Sequence, residues 1–90
     1  MPNHKSAEKR VRQSVKRRAR NLIQKRKNRN RTKDVYDAID AGNAQEANDL
    51  LPAAVKQLHK SAGKGAIPKQ RAARHVSRLT KAVNRALAGS

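Results

Sequence analysis

The sequence predicts an all-α fold, a three-helix bundle from which a long basic N-terminal helix extends. Three observations carry this. Apolar residues make up 36% of the 90-residue chain and are nearly all Leu, Val, Ile and Ala, with no Phe or Trp and with Tyr36 the only aromatic. Such small side chains suit close helix-on-helix packing better than a sheet. Apolar positions also recur at steps of three and four, and caps and glycines divide the chain twice. The result is a single domain, 1–90, with helices over about 7–41, 44–62 and 68–88. A chain this short buries only roughly 60 to 65% of its unfolded surface, so its core must be thin.

Ser6 is placed to cap the first helix, with Glu8 in its first turn against the helix dipole. The apolar residues Ala7, Val11, Val15, Ala19, Leu22 and Ile23 drift round the wheel, and none that is strongly apolar follows between Gln24 and Lys33. Like charges stand four apart at Arg12 and Lys16, Lys16 and Arg20, Lys25 and Arg29, Lys27 and Arg31, and Arg29 and Lys33. Each such pair opposes an isolated helix by about 0.2 to 0.5 kcal/mol, before the cost of nucleation. Residues 7 to about 33 are therefore expected to fray in the free chain and to form one helix when bound, while 34–62 and the third helix persist. Val35, Tyr36 and Ile39 restore an apolar cluster, in which Tyr36 is expected to pack into the core.

Gly42 suits a left-handed stop, and Asn43 with Glu46 three residues on forms a capping-box-like start for the second helix. Ala47, Leu51, Ala54, Leu58 and Ala62 then make its core face, widened by Leu50 and Val55. Pro52 removes one backbone donor, which predicts a kink or short interruption near Asn48 and Asp49. Gly63 and Gly65 break the chain again, and Pro68 stands where a third helix can begin. That helix carries two stripes on nearly opposite sides. Ala72, Val76, Leu79, Val83 and Ala86 pack, and Arg71, Arg74, Arg78, Lys81 and Arg85 face outward.

Twenty-three Lys and Arg against six Asp and Glu give a formal charge of +17, which repels itself unless a polyanion balances it. The charge is uneven. Residues 1–33 hold fourteen basic residues against Glu8 alone, residues 34–62 are net acidic through Asp34, Asp37, Asp40, Glu46 and Asp49, and residues 63–90 hold seven basic residues and no acid. Two surfaces are thus built to meet nucleic acid, and one is not. One tyrosine cannot supply the stacking platforms of single-strand readers, which argues against recognition through splayed bases. What remains is folded shape and backbone, gripped by Arg and Lys with Asn21, Asn28 and Asn30 as lesser hydrogen-bonding contributors. Structured RNA and duplex DNA both fit.

Other classes fare worse. With no cysteine there is no disulfide or thiolate metal site, and His4, His59 and His75 lie in three segments with no helical ligand spacing. Asp34, Asp37 and Asp40 share a spacing that a cation site would need, but keeping that face from phosphates and pairing with Lys33 or neighbouring bases is the better reading. Ser14 and Ser77 have no His and acid nearby, and Gly63-Lys64-Gly65 lacks P-loop spacing. No enzyme, cofactor, metal or small-molecule substrate is expected. No apolar run resembles an export signal or a membrane span, and the basic helix lacks the Trp, Phe and Leu face of an interfacial one. A soluble chain without membrane contact is expected.

Laid out this way, the chain resembles the bacterial small-subunit ribosomal protein twenty family. The likeness rests on Asn3 to Lys9, the Lys- and Arg-rich first helix, Val35-Tyr36-Asp37-Ala38-Ile39 before Gly42, Lys64-Gly65-Ala66-Ile67-Pro68-Lys69, Arg71-Ala72-Ala73-Arg74 and Ser77-Arg78-Leu79. It covers nearly the whole chain in order, departing at Gln70, where Asn is expected, and at His75-Val76, where a second basic residue is common. The resemblance implies a three-helix bundle in the cytoplasmic small ribosomal subunit, beside that subunit's other components. There it would bind the ribosomal RNA (16S) directly and early in assembly, holding the 5′ domain and the lower end of the long helix near the 3′ end. It assigns RNA contact to Lys5, Lys9, Arg10, Arg12, Lys16, Arg17, Arg20, Arg26 and Arg29 on the first helix, and to Lys64, Lys69, Arg71, Arg74, Arg78 and Lys81 toward the last. The alternative is a nucleoid-type protein lying along duplex DNA, although β-ribbon arms, zipper heptads and helix-turn-helix spacing are lacking.

Overall fold

A computed structural model describes residues 3–89, with side chains from 6 to 89. Three helices follow one another: α1 (Asn3–Asp40), α2 (Ala44–Gly63) and α3 (Lys69–Gly89). The fold is all-α, and α2 is the central element, packed against α1 on one side and α3 on the other. The molecule measures 68 × 21 × 14 Å, with a radius of gyration of 17.8 Å. A compact chain of this length has one of about 12 Å, so much of the mass stands off the bundle.

The mass that stands off is the N-terminal part of α1. Every described side chain from Ser6 to Arg20 is exposed, and the first buried residue of the helix is Gln24. At 1.5 Å per residue the whole helix is about 57 Å long, against about 30 Å for α2. Ser6 and Glu8 do not have the end positions expected of them. The helix already runs from Asn3, so Ser6 lies inside it and Glu8 beyond its first turn. Nothing terminates the helix at Ser6, because a capping side chain stops a helix only where the backbone before it turns away.

Two tight turns separate the helices, and both are built alike. After α1, Gly42 takes φ 77°, its N–H donates to the Ile39 carbonyl at 3.0 Å, and the Asn43 N–H donates to the Ala38 carbonyl at 2.9 Å. After α2, Gly65 takes φ 76°, with Gly65 donating to Ala62 at 3.1 Å and Ala66 to Ser61 at 2.9 Å. These are paired Schellman closures, which need a left-handed residue that glycine supplies at least cost. Asn43 starts α2 as expected. Its side-chain oxygen accepts from the Glu46 N–H and its amide donates to the Glu46 carboxylate, both at 3.1 Å. The Pro68 carbonyl accepts the first bond of α3, from the Ala72 N–H, at 3.1 Å.

The core gathers Val35 and Ala38 of α1, Ala47, Ala54 and Leu58 of α2, Ile67 of the second turn, and Ala72, Leu79 and Val83 of α3. Ile39, Leu50, Leu51, Ala62, Val76 and Leu87 pack around it. Two expectations need correction. Tyr36 is exposed, because Val35, Ala38 and Ile39 share the buried face and Tyr36 is turned about 100° from Val35. α2 continues unbroken through Pro52, with no interruption at Asn48 and Asp49. Pro52 and Asn48 are both exposed, so the carbonyl left without a donor lies on the side of the helix that water reaches. The buried part of α1 reaches back to Gln24, well before Asp34.

That early docking is polar. The Gln57 amide shares its two N–H bonds among Gln24 Oε1 at 2.8 Å, Asn28 Oδ1 at 3.2 Å and Ser61 Oγ at 3.1 Å, and the Ser61 hydroxyl donates to Asn28 Oδ1 at 2.7 Å. Gln24 and Ser61 are buried. A stretch of α1 with no apolar side chain to offer is thus fastened to α2 by amides and a hydroxyl that satisfy one another.

Candidate nucleic-acid interface

From Lys9 to Arg20 the helix presents Lys9, Arg10, Arg12, Lys16, Arg17, Arg18 and Arg20, all exposed and distributed on every side. Among the described residues, no other helix covers this arm. Its apolar residues are equally open, with Val11 and Val15 62% exposed and Leu22 59%. Where the arm meets the bundle, Arg20 Nη2 donates to the Lys64 carbonyl at 3.3 Å, bracing the arm on the end of α2. That bond uses one of five guanidinium N–H donors and leaves the others available.

On α3, Arg71, Arg74, Arg78, Lys81 and Arg85 are all exposed, opposite the side that buries Ala72, Leu79 and Val83. Lys64 and Lys69 are exposed in and beside the turn between α2 and α3, and Arg26 is exposed on α1. The Lys5 side chain lies outside the described residues.

Cations of α1 and α3 also meet in one place. Lys25, Arg29 and Lys33 on α1 and Arg71 and His75 on α3 line a cleft of about 520 Å³ between the helices. Of the residues assigned to RNA contact, only Arg29 and Arg71 meet there. The others spread along the arm and the α3 stripe. Lys25, Lys33 and His75 were not assigned to RNA contact from the sequence, although steps of four from Lys25 to Arg29 to Lys33, and from Arg71 to His75, place each set on one helix face. Asn28 is held by Ser61 and Gln57, so it is a structural residue as well as a lining one.

The acidic residues collect elsewhere. Asp34 and Asp37 of α1 and Glu46 of α2 border a separate depression near the first turn. Among the described residues, Asp34, Asp37 and Asp40 form no ion pair with Lys33, contrary to the pairing expected, and Lys33 faces the basic cleft instead. The described residues contain no group of three or more His, Cys, Asp or Glu placed to hold a metal, and no helix long and apolar enough to cross a membrane.

Residues 2–84 match the family model described as Ribosomal protein S20. The chain is 48% identical over 84 residues to the small ribosomal subunit protein bS20 of Campylobacter curvus, covering 93% of this chain and 94% of that one. It is 47% identical over 85 residues to the bS20 of Wolinella succinogenes, covering 94% and 93%. It is 45% identical over 85 residues to the bS20 of Helicobacter acinonychis, covering 94% and 96%.

Proposed function

The chain belongs to the ribosomal protein S20 family, and on that premise we propose that it is a structural protein of the small ribosomal subunit that binds the subunit's RNA. The observation that carries this is an all-round basic arm and a one-sided basic stripe, with further cations of α1 and α3 meeting in one cleft between them and acids bordering a separate depression. Arg and Lys neutralise phosphates without reading bases, Arg as a bidentate fork and Lys as a mobile point charge. Two such surfaces on one molecule hold folded RNA in place and recognise its shape. The protein performs no reaction. Family membership leaves the duplex-DNA alternative without support.

The RNA elements held are the 5′ domain and the lower end of the long helix near the 3′ end, one against the arm and the other against the bundle. The contacts are those of Lys5, Lys9, Arg10, Arg12, Lys16, Arg17, Arg20, Arg26 and Arg29, and of Lys64, Lys69, Arg71, Arg74, Arg78 and Lys81. The 68 Å length of the molecule supports this reading, since it exceeds the reach of a compact bundle of this size. The test is a competition at physiological salt between small-subunit RNA containing the 5′ domain and duplex DNA of equal length. A clear preference for the RNA is expected, and equal affinity would defeat the reading.

A further inference from the structure

We propose that the cleft between α1 and α3 is a pocket for a single unpaired nucleotide of the bound RNA. This rests on the RNA-binding reading and deepens it from phosphate contact to a specific subsite.

A site for phosphate alone needs only its charged rim. This cleft has more. Leu58 and Ile67, both nearly buried, form an aliphatic floor between the helices, and no acidic residue lines it. Its volume of about 520 Å³ lies within the roughly 300 to 1,000 Å³ of small-ligand sites. An apolar floor beneath four cations suits a ligand that is itself a flat, weakly polar body attached to an anion, which describes a nucleotide. An apolar peptide would leave the cations unpaired, and inorganic phosphate would leave the floor uncovered.

Two further groups suit a base. His75 lies on the α3 side of the cleft and is exposed, supplying a ring of the kind on which unstacked bases pile. Asn28 lines the cleft from α1 with its amide orientation decided in advance. Its oxygen is occupied by Ser61 at 2.7 Å and Gln57 at 3.2 Å, so its NH2 group is left to donate. A base edge with an acceptor meets that donor, while Arg29, Lys33 and Arg71 take the phosphates on either side. The scarcity of aromatic residues, which argues against a row of stacked bases, leaves room for one.

The experiment measures binding of the full chain to three RNA duplexes of equal length, one fully paired, one carrying a single-nucleotide bulge, and one with an abasic residue at the bulge. The bulged duplex is expected to bind about tenfold more tightly than the paired one, because an unpaired base enters a pocket at little unstacking cost, and the abasic duplex should fall back to the paired value. His75→Ala removes the ring on an exposed helix position without altering the formal charge, and should erase most of the difference between the bulged and the paired duplex. Equal affinity for all three, or a bulge preference that the abasic residue or His75→Ala leaves intact, overturns the proposal. Failure to bind any of the three brings down the RNA-binding reading with it.

Discussion

The Ser61 hydroxyl donates to Asn28 Oδ1 across 2.7 Å, joining two residues 33 apart in sequence at the seam of α1 and α2. The Gln57 amide completes the arrangement from one turn earlier on α2, satisfying Gln24 and Asn28 together. Replacing Gln57 by Ala takes the short bond from buried Gln24 Oε1, leaving it only the Ser61 hydroxyl at 3.5 Å, and should lower stability by about 1 to 3 kcal/mol. Gln57→Glu should cost more, because a carboxylate would face the Gln24 and Asn28 oxygens. Urea denaturation midpoints of the two variants against the parent chain check both the size and the order.

The two glycines flanking Lys64 should respond in opposite directions. Gly65 holds φ at 76°, so Gly65→Ala should destabilise by about 1 to 2 kcal/mol although nothing lies within 4 Å of the added methyl group. Gly63 is ordinary helix with the same free space, and Gly63→Ala should stabilise by about 0.4 to 1 kcal/mol. Thermal denaturation of the two variants side by side separates backbone conformation from packing, since packing is alike at both.

Affinity for RNA should depend steeply on salt. If about ten of the exposed cations each neutralise a phosphate, log affinity falls against log salt with a slope of roughly −7 to −9. Arg74→Ala and Arg78→Ala, on the exposed stripe of α3, should each make that slope shallower by about 0.7 to 0.9. A parent slope near −2 would show that most of these charges remain solvated.

Hydrogen exchange should divide α1 in the free chain. From residue 7 to residue 19 the helix has no neighbouring element and carries like charges at Arg12 and Lys16, so its amides should exchange orders of magnitude faster than those around Leu58 or Leu79. Protection should begin between Arg20, braced on Lys64, and Gln24, and should extend toward the N-terminus once RNA is added. Arm amides as slow as those of α2 in the free chain would refute this.

The parts of the fold that sequence made legible are those with local signals. Gly42 before Asn43 marks a turn wherever it occurs, and the two stripes of α3 differ so sharply in chemistry that one had to be core. The seam at Gln24, Asn28 and Ser61 gave no such signal. Polar side chains carry no apolar period, and whether an asparagine bonds a partner helix or awaits a phosphate depends on what lies 33 residues away. Ser61 also joins the expected face of α2 at its end, fully buried where its neighbour Ala62 is only partly so. The cleft was half legible. Arg29 and Arg71 could be named, but which cations share one opening follows from how α1 crosses α3, and no single helix encodes that.

A helix fastened at Arg20 and free beyond it is a ruler as well as a grip. Each residue advances the arm by 1.5 Å and turns it by about 100°, so the positions of its cations relative to the bundle are set by counting residues. Seven residues inserted in the arm would carry Lys9 about 10 Å outward and return it to nearly the same bearing, while two would swing it to the opposite side for a gain of only about 3 Å. The spacing and the phase at which two RNA elements are held are thus written into the length of one unbroken helix.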